Sequence, residues 1–394
     1  MSHQATEQMI GYIYQVRYAL NLLLQNPDES AQISIEKFDD VSFHKDDAPE
    51  VLIQLKHHVK NHGNLTDSST DLWRTLKVWI DSIIEIPDLP IKTKFLIITT
   101  AKAPSDSAAY LLKETEDRDI NMAYQRLKSV SETSTNEAHK AYYRAFKSLG
   151  EEQAKVLLKS VYIIDKACNI IDVENDIKSE IKYASLPQYE SLVLERLEGW
   201  WFKKSIEALC SEQPVFFSQN QIRSFIVTLA QEYAYDNLPI DDFIFDGISE
   251  DDISSEDRIF YEQLKLIGLG NNRIQICLRD YYRAFQQRAN WIRNDLLYLN
   301  ELDKYEERLI YEWEHAFYSV QDDLTEYGEE LTENRKRAKG KELLSEIEKQ
   351  DIRIRTKCSD AFVMRGSYHM LSNNLKVGWH NDFMERLKHL LEQR

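Results

Sequence analysis

The sequence predicts an α/β N-terminal domain, a mixed sheet flanked by helices, followed by a mainly α-helical C-terminal domain built on long helices. Three observations predict it. Short apolar strands alternate with amphipathic helices in the first half, all eight prolines lie before residue 240, and the 57 residues between Gly270 and Gly328 contain neither Gly nor Pro. Gly and Pro punctuate chain direction, so a long stretch without them favours uninterrupted helices.

From Tyr12 to Gln25, the residues Ile13, Val16, Tyr18, Leu20 and Leu23–Leu24 form a helix-like stripe that Asn26-Pro27-Asp28 stops. Gln32 to Phe43 is rich in β-branched and aromatic residues at alternating positions and reads as one strand. With His44 to Pro49 as a polar turn and Val51 to Lys56 as a second strand, it makes a hairpin. A helix opening at Ser69 or Thr70 carries Leu72, Trp73, Leu76, Val78, Trp79, Ile83 and Ile84 at spacings of largely three and four. Lys94 to Thr100 and Val161 to Asp165 read as strands of the kind buried on both faces.

Residues 166–235 read as mostly helical, including Leu192 to Leu209 with its Trp200–Trp201 pair. Asp241 to Asp257 then holds eight acidic residues and no basic one, the composition of a solvated linker. Beyond it, Tyr305, Leu309, Trp313, Phe317, Val320 and Leu324 recur every three or four positions, the core stripe of one very long helix or of a helical hairpin. The expected divisions are 1–205 for the α/β domain with a helical extension, 206–257 for a helical and acidic connection, and 258–394 for the helical domain.

The chain has 394 residues, 49 Lys+Arg against 66 Asp+Glu and a net charge of -17, with 43% hydrophobic and 11% aromatic residues. That is a folded composition, too apolar and aromatic for a disordered chain. No apolar run approaches the ~18 residues that would span a bilayer, and the N-terminus lacks a basic stretch followed by an apolar one, so no membrane partner and a cytoplasmic location are expected. Cys168, Cys210, Cys277 and Cys358 lack the paired short spacings of a zinc ribbon and read as buried thiols. The acidic total argues against nucleic acid held by bulk charge alone.

The hairpin carries the sharpest chemical pattern. By the two-residue period of a strand, Glu36, Phe38 and Asp40 share a face with Asp39 opposite, and Gln54 and Lys56 share a face on the second strand. If those faces coincide, a carboxylate, an amide oxygen and an ammonium converge. A hard cation such as Mg²⁺ takes oxygen ligands and keeps waters, and a nearby lysine orients or deprotonates one of them, the chemistry of phosphodiester hydrolysis.

His57, His58, Lys60 and His62 follow Lys56 closely, as a solvated loop or as a lining of a DNA phosphate path. Arg335-Lys-Arg-Ala-Lys-Gly-Lys341 reads as a polar loop, yet Arg335, Lys336 and Arg337 belong to the one concentrated basic patch a phosphate could use. His369 and His380 with Asp382 read as packed structural residues. A Walker-type phosphate loop and Ser or Cys nucleophile signatures are absent, so any ATPase role falls to a partner.

Gly11-Tyr-Ile-Tyr-Gln15, Ile35-Glu-Lys-Phe-Asp-Asp-Val41, Ile53-Gln-Leu-Lys56 and Leu65 to Trp73 resemble the double-stranded DNA endonuclease domain of bacterial anti-phage systems, a branch of the restriction-endonuclease-like PD-(D/E)xK superfamily. The resemblance covers residues 9–80 and runs more loosely to Leu197-Glu-Gly-Trp-Trp201. It implies that Asp40 is the metal-binding aspartate, Gln54 the second ligand and Lys56 the catalytic lysine, with Glu36 and Gln15 supporting the metal or the water. It also implies Mg²⁺ as cofactor, with Mn²⁺ as a substitute. Gln54 stands where the superfamily more often has Asp or Glu, which makes Glu36 a candidate metal ligand. The resemblance does not choose between Asp39 and Asp40; parity with Glu36 favours Asp40.

Arg279-Asp-Tyr-Tyr-Arg-Ala-Phe285 with Arg288, Trp291 and Arg293, then Tyr311-Glu-Trp313, Val363 to His369 and Val377-Gly-Trp-His380, look like the C-terminal domain of effectors in ABC-three-component systems. Together the halves resemble the effector nuclease of a Lamassu-type defence system. That resemblance implies double-stranded DNA as substrate, and an SMC-like ABC ATPase and a small accessory subunit as partners. It also implies that the helical half docks on them and controls a homo-oligomer. A non-catalytic adaptor with a degenerate nuclease fold and an autonomous restriction-type enzyme are the alternatives. A chain this acidic should hold DNA poorly by itself, so cutting is expected to need several copies or partners.

Overall fold

The structure of the protein, a computed structural model, describes residues 2–45, 48–58, 63–241, 258–326, 328 and 331–391. Two compact units form, Met1–Ala230 and Gln231–Arg394. The predicted architecture holds: a mixed sheet with flanking helices, then a mainly helical region.

In the first unit α1 (Ser2–Gln25) precedes β1 (Gln32–Ile35), β2 (Val41–Lys45), β3 (Ala48–Lys56), α2 (Thr70–Glu85), α3 (Leu89–Lys92) and β4 (Lys94–Thr99). Then come α4 (Ala108–Leu111), α5 (Ile120–Thr133), α6 (Lys140–Ser148), α7 (Gly150–Ser160), β5 (Val161–Ile164), α8 (Ile170–Ile181), α9 (Glu190–Leu209), β6 (Phe217–Ser218) and α10 (Gln219–Glu232). The sheet order is β5-β4-β3-β2-β1-β6. Neighbours β3, β4 and β5 are parallel, whereas β1 pairs antiparallel with β2 and β6, and β2 with β3. The parallel pairs need crossovers, supplied by α2 with α3 and by α4 to α7.

One face of α2 buries Leu72, Trp73, Leu76, Trp79, Ile80 and Ile83 in a core with Leu52, Phe95 and Ile97 of the sheet. Val78 and Ile84, placed on that stripe by sequence, are exposed instead, because they fall off the buried arc of the helix that Ile80 joins. Tyr14, Leu20 and Leu23 of α1 are also buried, and Trp201 of α9 donates its indole N–H to Val16 O at 2.7 Å. Arg17 ties α1 to Glu198 at 2.6 Å and to Glu174 at 3.2 Å. The Trp-Trp segment thus holds the first helix in place.

One expectation fails in an informative way. Gln32 to Phe43 is not one strand but a tight hairpin, with Ile33 opposite Phe43 and Ile35 opposite Val41. Residues 36–40 form the reversal: Glu36 sits at φ 54°, in the left-handed region, and its N–H bonds to Asp40 O at 3.0 Å. Four of those five residues are charged; the turn leaves Glu36 and Lys37 exposed and buries Asp39 and Asp40 on hydrogen bonds from Gln54, Leu55 N and Trp79. Residues 36–40 therefore have no two-residue alternation of faces. The strands also close on each other sooner than expected, since β2 continues through Lys45 and β3 begins at Ala48. Phe217–Ser218, placed by sequence in the helical connection, is sheet strand β6.

The second unit comprises α11 (Arg258–Leu266), α12 (Asn271–Arg293), α13 (Glu301–Thr325), α14 (Glu333–Ile347), α15 (Ala361–Asn373) and α16 (Phe383–Leu391). Of the two forms left open for 271–325, the chain takes two helices, with Asp295 and Asn300 in left-handed conformations in the connection. Tyr305, Leu309, Trp313, Phe317 and Leu324 are buried on α13 and Val320 is half-buried. Arg335 to Lys341 lies in α14 rather than in a loop, with the Thr332 hydroxyl capping the helix at Arg335 N.

Helices α12 and α15 cross where Gly366 meets Asp280 and Ala284. A Cβ on Gly366 would lie 2.1 Å from Asp280 O and 2.4 Å from the Ala284 Cβ, so Gly366→Ala must force the helices apart. We expect a loss of roughly 1–3 kcal/mol, seen as faster hydrogen exchange of α12 and α15. Wild-type exchange there would show that the contact yields freely.

Of the four cysteines, Cys277 and Cys358 are buried as expected, Cys168 is half-buried, and Cys210 is exposed at the end of α9. Cys210 corrects the expectation: helix α9 ends there, and the residue has no core to face. Among the described residues, no helix is long and apolar enough to cross a membrane.

Candidate metal and phosphodiester site

The candidate site sits at the C-terminal end of β3, where the β1–β2 reversal, α1 and the start of α2 meet. Gln54 and Lys56 share parity with Leu52, and Lys56 Nζ donates to Gln54 Oε1 at 2.7 Å, so the predicted shared face is real. Because an ammonium only donates, the atom facing it must be the amide oxygen, which sends Gln54 Nε2 the other way. There it donates to both Asp39 Oδ1 and Asp40 Oδ1, the latter at 3.0 Å. Asp40 Oδ2 accepts the Leu55 N–H at 2.8 Å, and Asp39 Oδ2 accepts the Trp79 indole N–H at 2.7 Å. Gln15 reaches in from α1 with a hydrogen bond to Asp40, and its own Oε1 is buried without a hydrogen-bond partner.

Asp39 and Asp40 therefore face the same point. Strand parity set them on opposite faces, but they lie in a turn, where the two-residue period has no hold. The electrostatics follow from this crowding. Burial pushes Asp39 up to about 6, against hydrogen bonds from Trp79 and Gln54, and the Asp40 charge adds to the rise. Burial also raises Asp40, opposed by Lys56 and by the Leu55, Gln15 and Gln54 bonds. Glu36 reaches solvent, yet partial desolvation with the charges of Asp40 and Asp39 pushes it up to about 7, Lys56 opposing. Three carboxylates face one ammonium.

The sign of the linkage is fixed. These carboxyls bind protons more tightly folded than unfolded, so the stability they confer is complete below the ordinary carboxylate range and, for Asp39 and Glu36, is lost as pH rises through about 6 and 7. In metal-free protein, stability of the N-terminal unit should fall between about pH 4 and 7, by on the order of 1–3 kcal/mol for Asp39. Asp39→Asn should flatten that profile, and so should Mg²⁺. Identical wild-type and Asp39→Asn profiles in denaturant titrations across that range would contradict the placement.

The donors gathered here, Asp39, Asp40, Glu36 and the Gln15 oxygen, are of the oxygen type that a hard divalent cation takes. Among the described residues, however, Glu36, Asp39 and Asp40 do not bring three ligand atoms within 4.8 Å of one another; the group that does lies in the second unit. Gln54 is the exception among the expected ligands, since its oxygen faces Lys56.

Two further residues were not singled out by sequence. Asp71, at the start of α2, takes a 3.0 Å contact from His58 Nε2. Burial opposes its ionisation, but the His58 hydrogen bond and the His58, Lys56 and Arg74 charges together hold it below its ordinary value. Trp79 was legible only as a core residue, because helical spacing reports the buried face and not where an indole N–H points.

Of the candidate DNA contacts, His57 packs its ring against Tyr14 at 4.5 Å, its Nε2 lies 3.4 Å from Ile170 N, and burial lowers its pKa. His58 N donates to Thr100 Oγ1 at 2.9 Å. Lys60 and His62 lie outside the described residues, as does the acidic segment from Asp242 to Asp257. On α14, Lys336 pairs with Asp382 at 2.9 Å and Arg337 with Glu333 at 3.3 Å, while Arg335 lies in the first turn, its N–H donating to the Thr332 cap. Lys336 and Arg337 are thus engaged with acidic partners of their own unit. His369 and His380 are buried, as expected for packing residues, at 1% and 0% exposure.

Residues 260–387 match the family model for C-terminal domain 7 of the ABC-three component (ABC-3C) systems, which supports membership of a defence system of that kind. Of the motif residues in that span, Tyr281, Arg288, Trp291, Trp313, Gly366, Tyr368 and Trp379 are buried or close-packed and belong to the domain's fold, whereas Arg279, Phe285, Arg293 and Tyr311 are exposed. A solved structure described as a Moraxella osloensis Cap4 SAVED/CARF-domain containing receptor is similar at 15% identity and TM-score 0.35, over 66% of this chain and 60% of that chain. No curated protein matches the chain.

Proposed function

We propose that the protein is a metal-dependent double-stranded DNA endonuclease, the effector of an ABC-three-component defence complex. The observation that carries the reading is the gathering of Glu36, Asp39, Asp40, Gln54 and Lys56 at one strand end, where three carboxyls lie around one ammonium. When bound, Mg²⁺ supplies Lewis-acid polarisation of a phosphoryl oxygen and makes a water more acidic.

Asp39 and Asp40 would hold the cation, with Glu36 at the open side. Gln54 holds Lys56 Nζ in place and, through its other end, fixes both aspartates, so one side chain sets the spacing of charge and ammonium. Two N–H bonds of Lys56 remain to meet a non-bridging phosphate oxygen or the attacking water. Trp79 and Leu55 N hold the outer carboxylate oxygens, which keeps the inner ones aimed.

In this reading, the C-terminal unit docks on an SMC-like ABC ATPase and an accessory subunit, and cutting follows release or oligomerisation. The test is plasmid cleavage in Mg²⁺ or Mn²⁺ by the chain alone and by the chain co-expressed with its ATPase, with size measured for each species. Rapid cutting by the isolated monomer would favour an autonomous enzyme. A non-catalytic adaptor is favoured by one feature, that Gln54 turns its N–H groups and not its oxygen to the carboxylates. A calorimetric titration finding no Asp40-dependent cation site would decide for the adaptor.

A further inference from the structure

The second unit holds a cluster that the nuclease reading does not use. Cys277 of α12, Glu348 at the end of α14 and His369 of α15 each bring one ligand atom within 4.8 Å of the others. Gly366 makes this possible. It lies one turn before His369 and meets Asp280, one turn after Cys277, at backbone contact distance, so thiol and imidazole come within reach of each other.

The cluster is enclosed but incomplete. Cys277 is 1% exposed and His369 1%, with Phe260 and Trp379 rings 4.8 and 6.0 Å from the imidazole. Cys277 Sγ donates to Glu348 Oε1 at 3.8 Å, and Glu348 Oε2 pairs with Arg273. His369 Nδ1, fully buried, has no hydrogen-bond partner. A buried nitrogen left in that state costs about 1–3 kcal/mol.

We propose that Cys277, Glu348 and His369 form a Zn²⁺-class site that joins α12, α14 and α15. Sulfur with imidazole nitrogen and one carboxylate selects a borderline transition metal, whereas Mg²⁺ prefers oxygen alone, so the site is chemically distinct from the one in the first unit. Burial, with the Arg273 and Arg365 charges, lowers His369 to about 3, so it presents the neutral ring that ligation needs. Burial and Glu348 hold the Cys277 thiol protonated, its pKa pushed up to about 12. On binding, the S–H bond breaks as the S–metal bond forms, and one proton leaves to solvent per cation. Glu348 Oε1 exchanges the thiol for the metal while Oε2 keeps Arg273. With three protein ligands, a tetrahedral cation would take its fourth ligand from water.

The test uses the full chain, stripped of metal and titrated with Co²⁺ and then Zn²⁺. We expect one equivalent of Co²⁺ to produce a thiolate-to-cobalt charge-transfer band in the near ultraviolet that Zn²⁺ bleaches. Cys210→Ser should keep the band. Cys277→Ser and His369→Gln, checked for folding by circular dichroism, should bind at least ~100-fold more weakly. Absence of the band in folded wild type overturns the site, and so does a band that persists in Cys277→Ser. The band requires a cysteine, and the first-unit site contains none, so the result does not depend on whether the protein cuts DNA.

Discussion

Lys56→Ala protein that folds and assembles like wild type should cut plasmid about 10²–10⁴-fold more slowly in saturating Mg²⁺. The lysine is held 2.7 Å from Gln54 Oε1, beside Asp40 and Glu36. Removing it takes away the ammonium that faces Asp40 and Glu36 without touching the oxygen donors, so metal binding should persist or tighten while turnover collapses. Asp40→Asn should do the opposite, removing the cation site along with activity. Cleavage by Lys56→Ala at the wild-type rate would sink the catalytic assignment, and loss of Mg²⁺ binding in that variant would show that the lysine is structural.

Arg355→Ala should destabilise the C-terminal unit by about 3–5 kcal/mol. Arg355 is 7% exposed and makes a fork on Glu301, Nε to Oε1 and Nη2 to Oε2, both 2.8 Å. It also donates to Asn237 O at 2.8 Å and Leu296 O at 2.7 Å. The cost of truncation lies in what stays behind: a largely buried carboxylate and two carbonyls lose their donors together. Lysine cannot reproduce a planar fork, so Arg355→Lys should recover only part. Arg355→Met with Glu301→Leu, which removes both charges, should be milder than Arg355→Ala alone. Hydrogen exchange at the start of α13 reads the effect, and a loss below about 1 kcal/mol would mean that water replaces the guanidinium.

Much of the fold was legible because backbone periodicity is local. The α2 and α13 stripes follow from a 3.6-residue repeat, the strands at Lys94 and Val161 from short apolar runs, and the stop after Gln25 from Asn26-Pro27, each signal acting within one element; what the run at Val161 did not show is that β5 is a sheet edge with Ile164 exposed. The match of Gln54 with Lys56 followed from the two-residue period of a strand. Legibility ended where the chain turned. A charged run with a left-handed Glu36 carries no period, so one expected strand became two, and the choice between Asp39 and Asp40 dissolved because both carboxylates face Gln54.

By itself, the sequence determined the two-part architecture, the place of the candidate chemistry near residues 36–56, and the residue types available to it. Tertiary structure alone decided which atoms meet. It set the Trp79 indole on Asp39 and Asp71 beside His58, engaged Lys336 and Arg337 with acidic partners, and gathered Cys277, Glu348 and His369 from three helices. The physical reason is one of range. Secondary structure answers to neighbours a few residues away, whereas a site is made by side chains distant in sequence that packing, such as the bare contact of Gly366 with Asp280, brings to within hydrogen-bonding distance.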